Sequence, residues 1–228
     1  MFRSLSKLAG VLALAASAGS ITGCTTGSGA WLESLRAASA GEDTAEPRLD
    51  PRLTYLRLGN GDHHAYLALG YVDARPGGEV QVWYSAAGEV IKLQNGRIVG
   101  TAGLPVDWRA VRLPPLPAWQ DIPAAGLRYQ REIDLMPGYR YGRVQTLQLR
   151  PLPPVQNVAL RHAQPAQLRW FEEVDLSDGA DRLPPARYAV DLSRLPGQVV
   201  YSEQCLSPAL CFSFELWPVG TEAGAASQ

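Results

Sequence analysis

The sequence runs to 228 residues with a formal net charge of −1, 46% hydrophobic residues and 19% charged ones. A charge this close to zero gives no electrostatic case for nucleic acid or an anionic lipid surface as partner. The length beyond the first two dozen residues suits one substantial domain or two small ones.

The chain opens with MFRSLSKLAGVLALAASAGSITGC. Arg3 and Lys7 form a cationic start, and an uncharged apolar run over residues 8–21 follows. A spanning helix needs about 20 apolar residues, so this run reads as the core of an export signal. Ile21-Thr22-Gly23-Cys24 closes it and resembles the bacterial lipobox: an aliphatic residue, then two small ones, then cysteine. The resemblance implies a signal peptide over residues 1–23 and a Cys24 whose thiol carries diacylglycerol and whose amino group is acylated, with chains such as palmitate. Each buried CH₂ contributes roughly 0.8 kcal/mol, so several chains on one residue anchor firmly. Ala-Ser-Ala at 16–18 offers an ordinary secretory cleavage instead, which leaves Cys24 unmodified. Thr25 stands where an aspartate would suggest inner-membrane retention. The expected address is therefore the outer membrane, lipid-anchored, at its periplasmic face.

Residues 24–52 are expected to hold the lipidated N-terminus, a short helix and a linker. AWLESLRAASA at 30–40 has helical spacing, with Leu32, Leu35 and Arg36 on one side and Gly41 as its stop. GEDTAEPRLDPR at 41–52 is polar and contains proline. From 53 to 220 nearly everything reads as strand. Candidate strands rich in β-formers cover 53–58, 64–72, 79–85, 127–133, 143–150, 156–161, 167–174, 187–191, 198–202 and 212–217. Proline clusters at 114–117, 151–154 and 184–185 fall between them, where a missing N–H costs no ladder bond. This pattern predicts a mainly β fold: a single antiparallel β-sandwich or half-barrel-like domain with a short N-terminal helix. Residues 221–228 read as a disordered tail.

WYSAAGEVIKLQNGRIVGTAGL, residues 83–104, is the clearest local signal. Asn95-Gly96 suits the two positive-φ positions of a type I′ hairpin turn. That register sets Leu93 opposite Ile98 and Ile91 opposite Gly100 on an apolar face. Gln94, Arg97, Lys92 and Thr101 then lie on the other face. A one-residue slip would turn Leu93 and Ile98 to solvent, so the register is well specified. The hairpin is architecture and carries no chemistry.

Other candidates are weak as catalytic or metal sites. His63 and His64 follow Asp62, but adjacent strand residues point to opposite faces. Zinc needs three or four ligands, and His162 has no partner at ligand spacing. Ser85 lacks the glycine and the strand-to-helix context of a nucleophile elbow. Glu172 and Glu173 diverge as strand neighbours, whereas a retaining glycosidase pair must face one another about 5 Å apart. They read as one solvated and one paired carboxylate. The sequence thus predicts no catalytic, metal or cofactor residues. Trp83, Tyr84, Trp108, Trp119, Tyr139 and Tyr141 stay open between two roles, filling a core or its rim and stacking on sugar rings. Cys205 and Cys211 are candidates for a disulfide, because an exported chain meets an oxidising compartment and Pro208 favours a turn between them. Spacing alone does not fix the pairing.

Three blocks in order resemble one known family. WYSAAGEVIKLQNGRIVGTAGLPVDW (83–108), YQREIDLMPGYRYG (129–142) and YAVDLSRLPGQVVYSEQCLSPAL (188–210) are similar to the signature segments of the YjbF/GfcB lipoproteins. Ala87, Ala189 and Cys205 depart from the acidic residue and the two tryptophans usual there. The resemblance implies a non-enzymatic outer-membrane lipoprotein that assists exopolysaccharide or group 4 capsule export through protein contacts. Its implied partners are an outer-membrane β-barrel and polysaccharide export proteins, with the polysaccharide itself a further candidate. Two alternatives stay open: a lipid- or polysaccharide-binding carrier with a concave sheet, marked by an acyl-sized apolar cavity, and a polysaccharide-modifying enzyme, marked by facing carboxylates in a cleft.

Overall fold

Apolar side chains at every second position make a strand that can bury one face, and most of this chain repeats that pattern. The computed structural model describes residues 49–75, 77–155 and 157–218. Within them the strands are β1 (Tyr55–Asn60), β2 (His63–Arg75), β3 (Gly78–Tyr84), β4 (Val90–Gln94), β5 (Arg97–Ala102) and β6 (Asp107–Arg112). They continue with β7 (Leu127–Met136), β8 (Arg140–Leu152), β9 (Arg169–Asp175), β10 (Ala186–Asp191), β11 (Gln198–Ser207) and β12 (Leu210–Trp217). The only helical pieces among the described residues are single 3-10 turns at Trp119–Asp121 and Pro165–Gln167. Cys24, the expected helix at 30–40 and the tail at 221–228 lie outside the described residues.

All twelve strands belong to one antiparallel sheet in which each strand pairs with its neighbour in sequence, and β12 pairs back onto β1. The ladder is interrupted at one place, between β5 and β6. There side chains stitch the seam: Thr101 Oγ1 donates to Asp107 Oδ1 at 2.8 Å and accepts from Trp108 N–H at 2.9 Å. The expectation of a sandwich or half-barrel therefore resolves to a nearly closed barrel-like sheet. Such closure leaves little free edge for a second chain to pair with.

Three readings of the sequence are corrected. Of the strand expected at 156–161, the described residues 157–161 form none; this stretch crosses the outside of the sheet, where Val158 and Leu160 pack against the cluster around Trp170, Ala189 and Tyr201. β6 went unseen because a register shift between Trp108 and Ala110 breaks its alternation. In the hairpin, Leu93 does face Ile98, but a bulge then shifts the register, so Ile91 faces Thr101 and Lys92 faces Gly100. An extra residue on one strand flips the following side chains. That puts Thr101 inside, and Arg97 is buried as well.

The barrel has an entry end, where β1 begins and β12 finishes, and a far end that carries the β7–β8 turn. Its interior holds two apolar clusters. One gathers Leu67, Trp83, Ile91, Ile98, Trp108, Ile133 and Phe214. The other gathers Trp119, Tyr129, Leu147, Leu149, Phe171, Tyr188 and Val190. Burying a side chain of this size contributes about 1.5–3 kcal/mol, and this double core carries the fold.

Candidate functional site

Between the two clusters runs a belt of buried polar side chains. Tyr129, Arg131 and Ile133 alternate inward on β7, so Arg131 sits between a residue of one cluster and a residue of the other. Glu173 reaches the belt from β9 and is 2% exposed. Its Oε2 accepts from Arg97 Nε at 3.3 Å and from the Tyr129 hydroxyl, and its Oε1 accepts from Arg131 Nη1 at 3.3 Å. Arg131 Nε donates to Gln145 Oε1 at 2.7 Å, and Gln145 Nε2 donates to Asp175 Oδ2 at 2.7 Å. Asp175 also accepts from Ser177 N–H and Leu183 N–H, at 2.9 and 3.2 Å.

The belt closes on itself chemically. Two guanidiniums face two carboxylates, and each of the four is hydrogen-bonded. The Arg97 guanidinium lies 4.1 Å from the Trp119 ring centre and that of Arg131 lies 4.7 Å from Trp108. Burial works against the Arg97 cation, but Tyr129 and Glu173 outweigh it and hold its pKa above the ordinary arginine value. Burial, and then the Glu173 charge, push the Tyr129 and Tyr188 hydroxyls well above the usual tyrosine range. A buried, mutually bonded set of this kind specifies packing.

Gln204 performs a second structural task. Its Oε1 accepts from Ile98 N–H at 3.0 Å and from the Tyr188 hydroxyl at 3.2 Å, while its Nε2 donates to Gly96 O at 2.8 Å. It thereby satisfies backbone groups at the hairpin turn and on β5, the strand at the seam. Asp107 caps the β5–β6 turn through Gly103 N–H and Leu104 N–H at 3.0 and 3.2 Å.

Three concavities stand out among the described residues, one of them about 260 Å³ and lined by Gln94, Arg97, Leu113 and Leu116. At the entry end a cavity of about 510 Å³ lies between the hairpin tip and the β10–β11 turn. Leu56, Leu93, Phe214 and Leu216 line it together with Glu79, Gln81, Arg194 and Gln198, so it is a mixed polar and apolar pocket and not a greasy tunnel for an acyl chain. Trp83 backs it, and its indole N–H is the buried side-chain donor left without a partner among the described residues. With no exposed surface, that donor is not within a ligand's reach. On the outer face, Glu172 and Glu203 line a cleft, but each carboxylate holds an arginine: Arg150 at 2.6 Å and Arg187 at 3.2 Å.

The remaining candidates separate in space. His63 and His64 are half-buried neighbours at the start of β2, and no group of three or more His, Cys, Asp or Glu among the described residues is placed to hold a metal. The Ser85 hydroxyl donates to Glu89 within the β3–β4 turn. Glu172 and Glu173 diverge as expected, though the outward one is also paired. Trp83, Trp108 and Trp119 are buried, whereas Tyr139 and Tyr141 are exposed at 70% and 65%. Cys205 and Cys211 face each other across β11 and β12, with their sulfurs 2.03 Å apart.

Comparison with known proteins decides the family. Residues 48–212 match the model of the family described as group 4 capsule polysaccharide lipoprotein GfcB, YjbF. The chain belongs to the YjbF family. Among solved structures it is similar to the hypothetical lipoprotein YmcC from Escherichia coli (K12), with a TM-score of 0.54 and 21% identity. That match covers 83% of this chain and 97% of the other, and at this identity it speaks for the fold alone. No curated protein sequence matches the chain.

The YjbF assignment gives the belt and the seam a setting. The block at 83–108 supplies both hairpin strands, the seam residue Thr101, the cap Asp107 and the cation–π partner Trp108. The block at 129–142 supplies Tyr129 and Arg131 of the belt and then the exposed tyrosines. The block at 188–210 supplies Tyr188 and Gln204. Most of what the three segments share in space is therefore architecture. The belt residues escaped sequence reading because an inward arginine or glutamate looks like an outward one until its partner strand is known.

Proposed function

We propose that this YjbF-family protein is a non-enzymatic accessory of capsule or exopolysaccharide export. In this reading it is tethered through an acylated Cys24 at the periplasmic face of the outer membrane. It works by contact with an outer-membrane β-barrel and with polysaccharide export proteins, and the Cys205–Cys211 pair is oxidised in that compartment. The family match over residues 48–212 carries the reading, since its description joins a lipoprotein to group 4 capsule polysaccharide. Buried Glu173 is held by two arginines and buried Asp175 by Gln145 and two backbone N–H groups, which supports a scaffold over an enzyme.

Deleting the gene is expected to reduce surface polysaccharide while leaving sugar precursors and polymerisation intact. Complementation is expected to require Cys24, because tethering raises the local concentration of a weak contact far above its free value. Alanine at His63, His64 or Glu172 is expected to complement. Glu173→Ala serves poorly in this test, since that carboxylate holds the belt together. Normal surface polysaccharide in the deletion strain, with no paralogue present, would sink the export role. A Cys24→Ala protein that stays in the membrane pellet after a carbonate wash would remove the lipid anchor.

A further inference from the structure

The sequence left six aromatic residues open between core and sugar platform, and the structure divides them. Three tryptophans go inside, Tyr84 is 39% exposed with its ring over Gly70, and Tyr139 and Tyr141 stand out at the far end. Their exposure is not a loose end of the fold. Tyr139 takes φ 52°, a left-handed conformation that glycine adopts freely and a bulky side chain adopts only at a cost. Gly138 immediately before it, at φ 96°, shows that the turn already has glycine where it needs one. Strain kept at an exposed aromatic residue points to use, not to packing.

The surroundings brace the backbone that carries the two rings. The register of β7 and β8 shifts between Ile133 and Leu135, so Tyr141 and Gly142 share the space opposite Asp134. Gly142 N–H donates to Asp134 Oδ1 at 2.9 Å and fixes that bulge. A bulge of this kind re-aims the side chains beside it. Arg140 Nη1 meets Asp181 Oδ2 at 2.9 Å, and Arg143 Nη2 donates to Asp181 O at 2.9 Å. These bonds tie the hairpin to the β9–β10 loop. The tyrosines are thus presented on a braced element, which lowers the ordering cost of binding.

We propose that Tyr139 and Tyr141 form a stacking platform for a saccharide segment of the capsule polymer. The proposal rests on the export reading above and adds direct contact with the sugar. Flat tyrosine faces suit the C–H faces of pyranose rings, and each hydroxyl adds a donor and an acceptor for ring oxygens and hydroxyls. Arg140, between them in sequence, has a 54% exposed side chain held by Asp181. The platform lies at the end of the barrel opposite to where β1 begins.

The test uses the mature, detergent-purified protein and size-fractionated capsule polysaccharide from the producing strain, with affinity read by calorimetry. Tyr139→Gly is expected to lower affinity about tenfold without lowering Tm, because glycine suits the turn better. Tyr141→Ser is expected to do the same, the loss of one ring contact, while Tyr141→Phe keeps affinity within about twofold. Wild-type protein that does not bind the polymer, or variants that bind as tightly as wild type, overturns the platform. So does a Tyr139→Gly strain that loses export although the wild-type protein ignores the polymer, which makes the tip a protein contact. The deletion phenotype is read separately. Lost capsule with no sugar binding leaves the export reading standing and removes the platform alone.

Discussion

Along β1 to β5 the inward positions carry Leu56, Leu58, Leu67, Trp83, Ile91, Leu93 and Ile98, all at or below 5% exposure. Along β7 to β11 the same kind of position carries Arg131, Gln145, Glu173, Asp175 and Gln204, buried to a similar degree. One half of the barrel excludes water with hydrocarbon almost throughout. The other half adds to its own apolar cluster a set of buried charges that must satisfy each other. The first arrangement tolerates error, because an apolar contact is non-directional and a neighbour can shift to fill a gap. The second does not, because every lost partner leaves a buried charge exposed to a low dielectric. The β4–β5 hairpin joins the halves, with Ile98 facing one cluster and Arg97 entering the belt.

That contrast gives the largest expected effect. Glu173→Leu strands two guanidiniums inside the barrel, and losing one partner of a buried ionic set costs about 3–5 kcal/mol. The urea midpoint is expected to fall accordingly. A triple variant, Glu173→Leu with Arg97→Met and Arg131→Met, removes every stranded charge and is expected to recover much of the loss. A single variant as stable as wild type would break the comparison, since the belt would then be incidental to the fold.

The junction between the halves comes next. A Cβ on Gly96 would sit 2.5 Å from Val199 Cβ, and Gly96 itself takes φ 77°. Gly96→Val therefore pays twice, by overpacking and by backbone strain, and about 2–3 kcal/mol of destabilisation is expected. Gly61 provides the control: its φ is 59°, but a Cβ there meets nothing within 4 Å. Gly61→Ala is expected to cost about 1 kcal/mol, the backbone part alone. Equal losses at the two sites would show that the hairpin tip does not press on β11.

How much of this was legible differs between strands and side chains. Alternation exposed strands in both halves, with β6 missed, and the Asn95-Gly96 pair marked a turn whose φ values of 49° and 77° are those of the type I′ class. Alternation also separated Glu172 from Glu173, because strand neighbours must diverge. It gave no means of choosing which of the two goes inside. Arg97 lies 76 residues from Glu173 and Arg131 lies 42 residues away. No local rule joins residues so distant, so the belt becomes visible only once strand order is known. The hairpin bulge was hidden for a related reason: Gly100 and Thr101 are both acceptable opposite Ile91, and the seam contact with Asp107 decides between them. The Asp107 cap and the exposed tyrosines needed the closed sheet before either had a position.

The smallest effect is one of pH, and only the charged half is expected to show it. In an unfolded chain a tyrosine titrates near pH 10. In the folded protein Tyr129 and Tyr188 keep their protons to higher pH, because burial and the Glu173 carboxylate disfavour a phenolate. A folded-state pKa raised above the unfolded value gives stability that is whole below pH 10 and drains away as pH rises beyond it, because the unfolded state binds fewer protons there. The limiting slope is about 1.4 kcal/mol per pH unit for each such tyrosine. Tyr129→Phe removes one of the two, at the cost of its hydrogen bond to Glu173, worth about 1.5 kcal/mol near neutrality for a bond to a charged group. Its urea midpoint is expected to start lower than wild type at pH 8 and to fall less steeply between pH 10 and 11. The two curves should therefore converge. Parallel curves would mean that the Tyr129 proton is not held by the belt, and Glu173 would then owe its place to the two arginines alone.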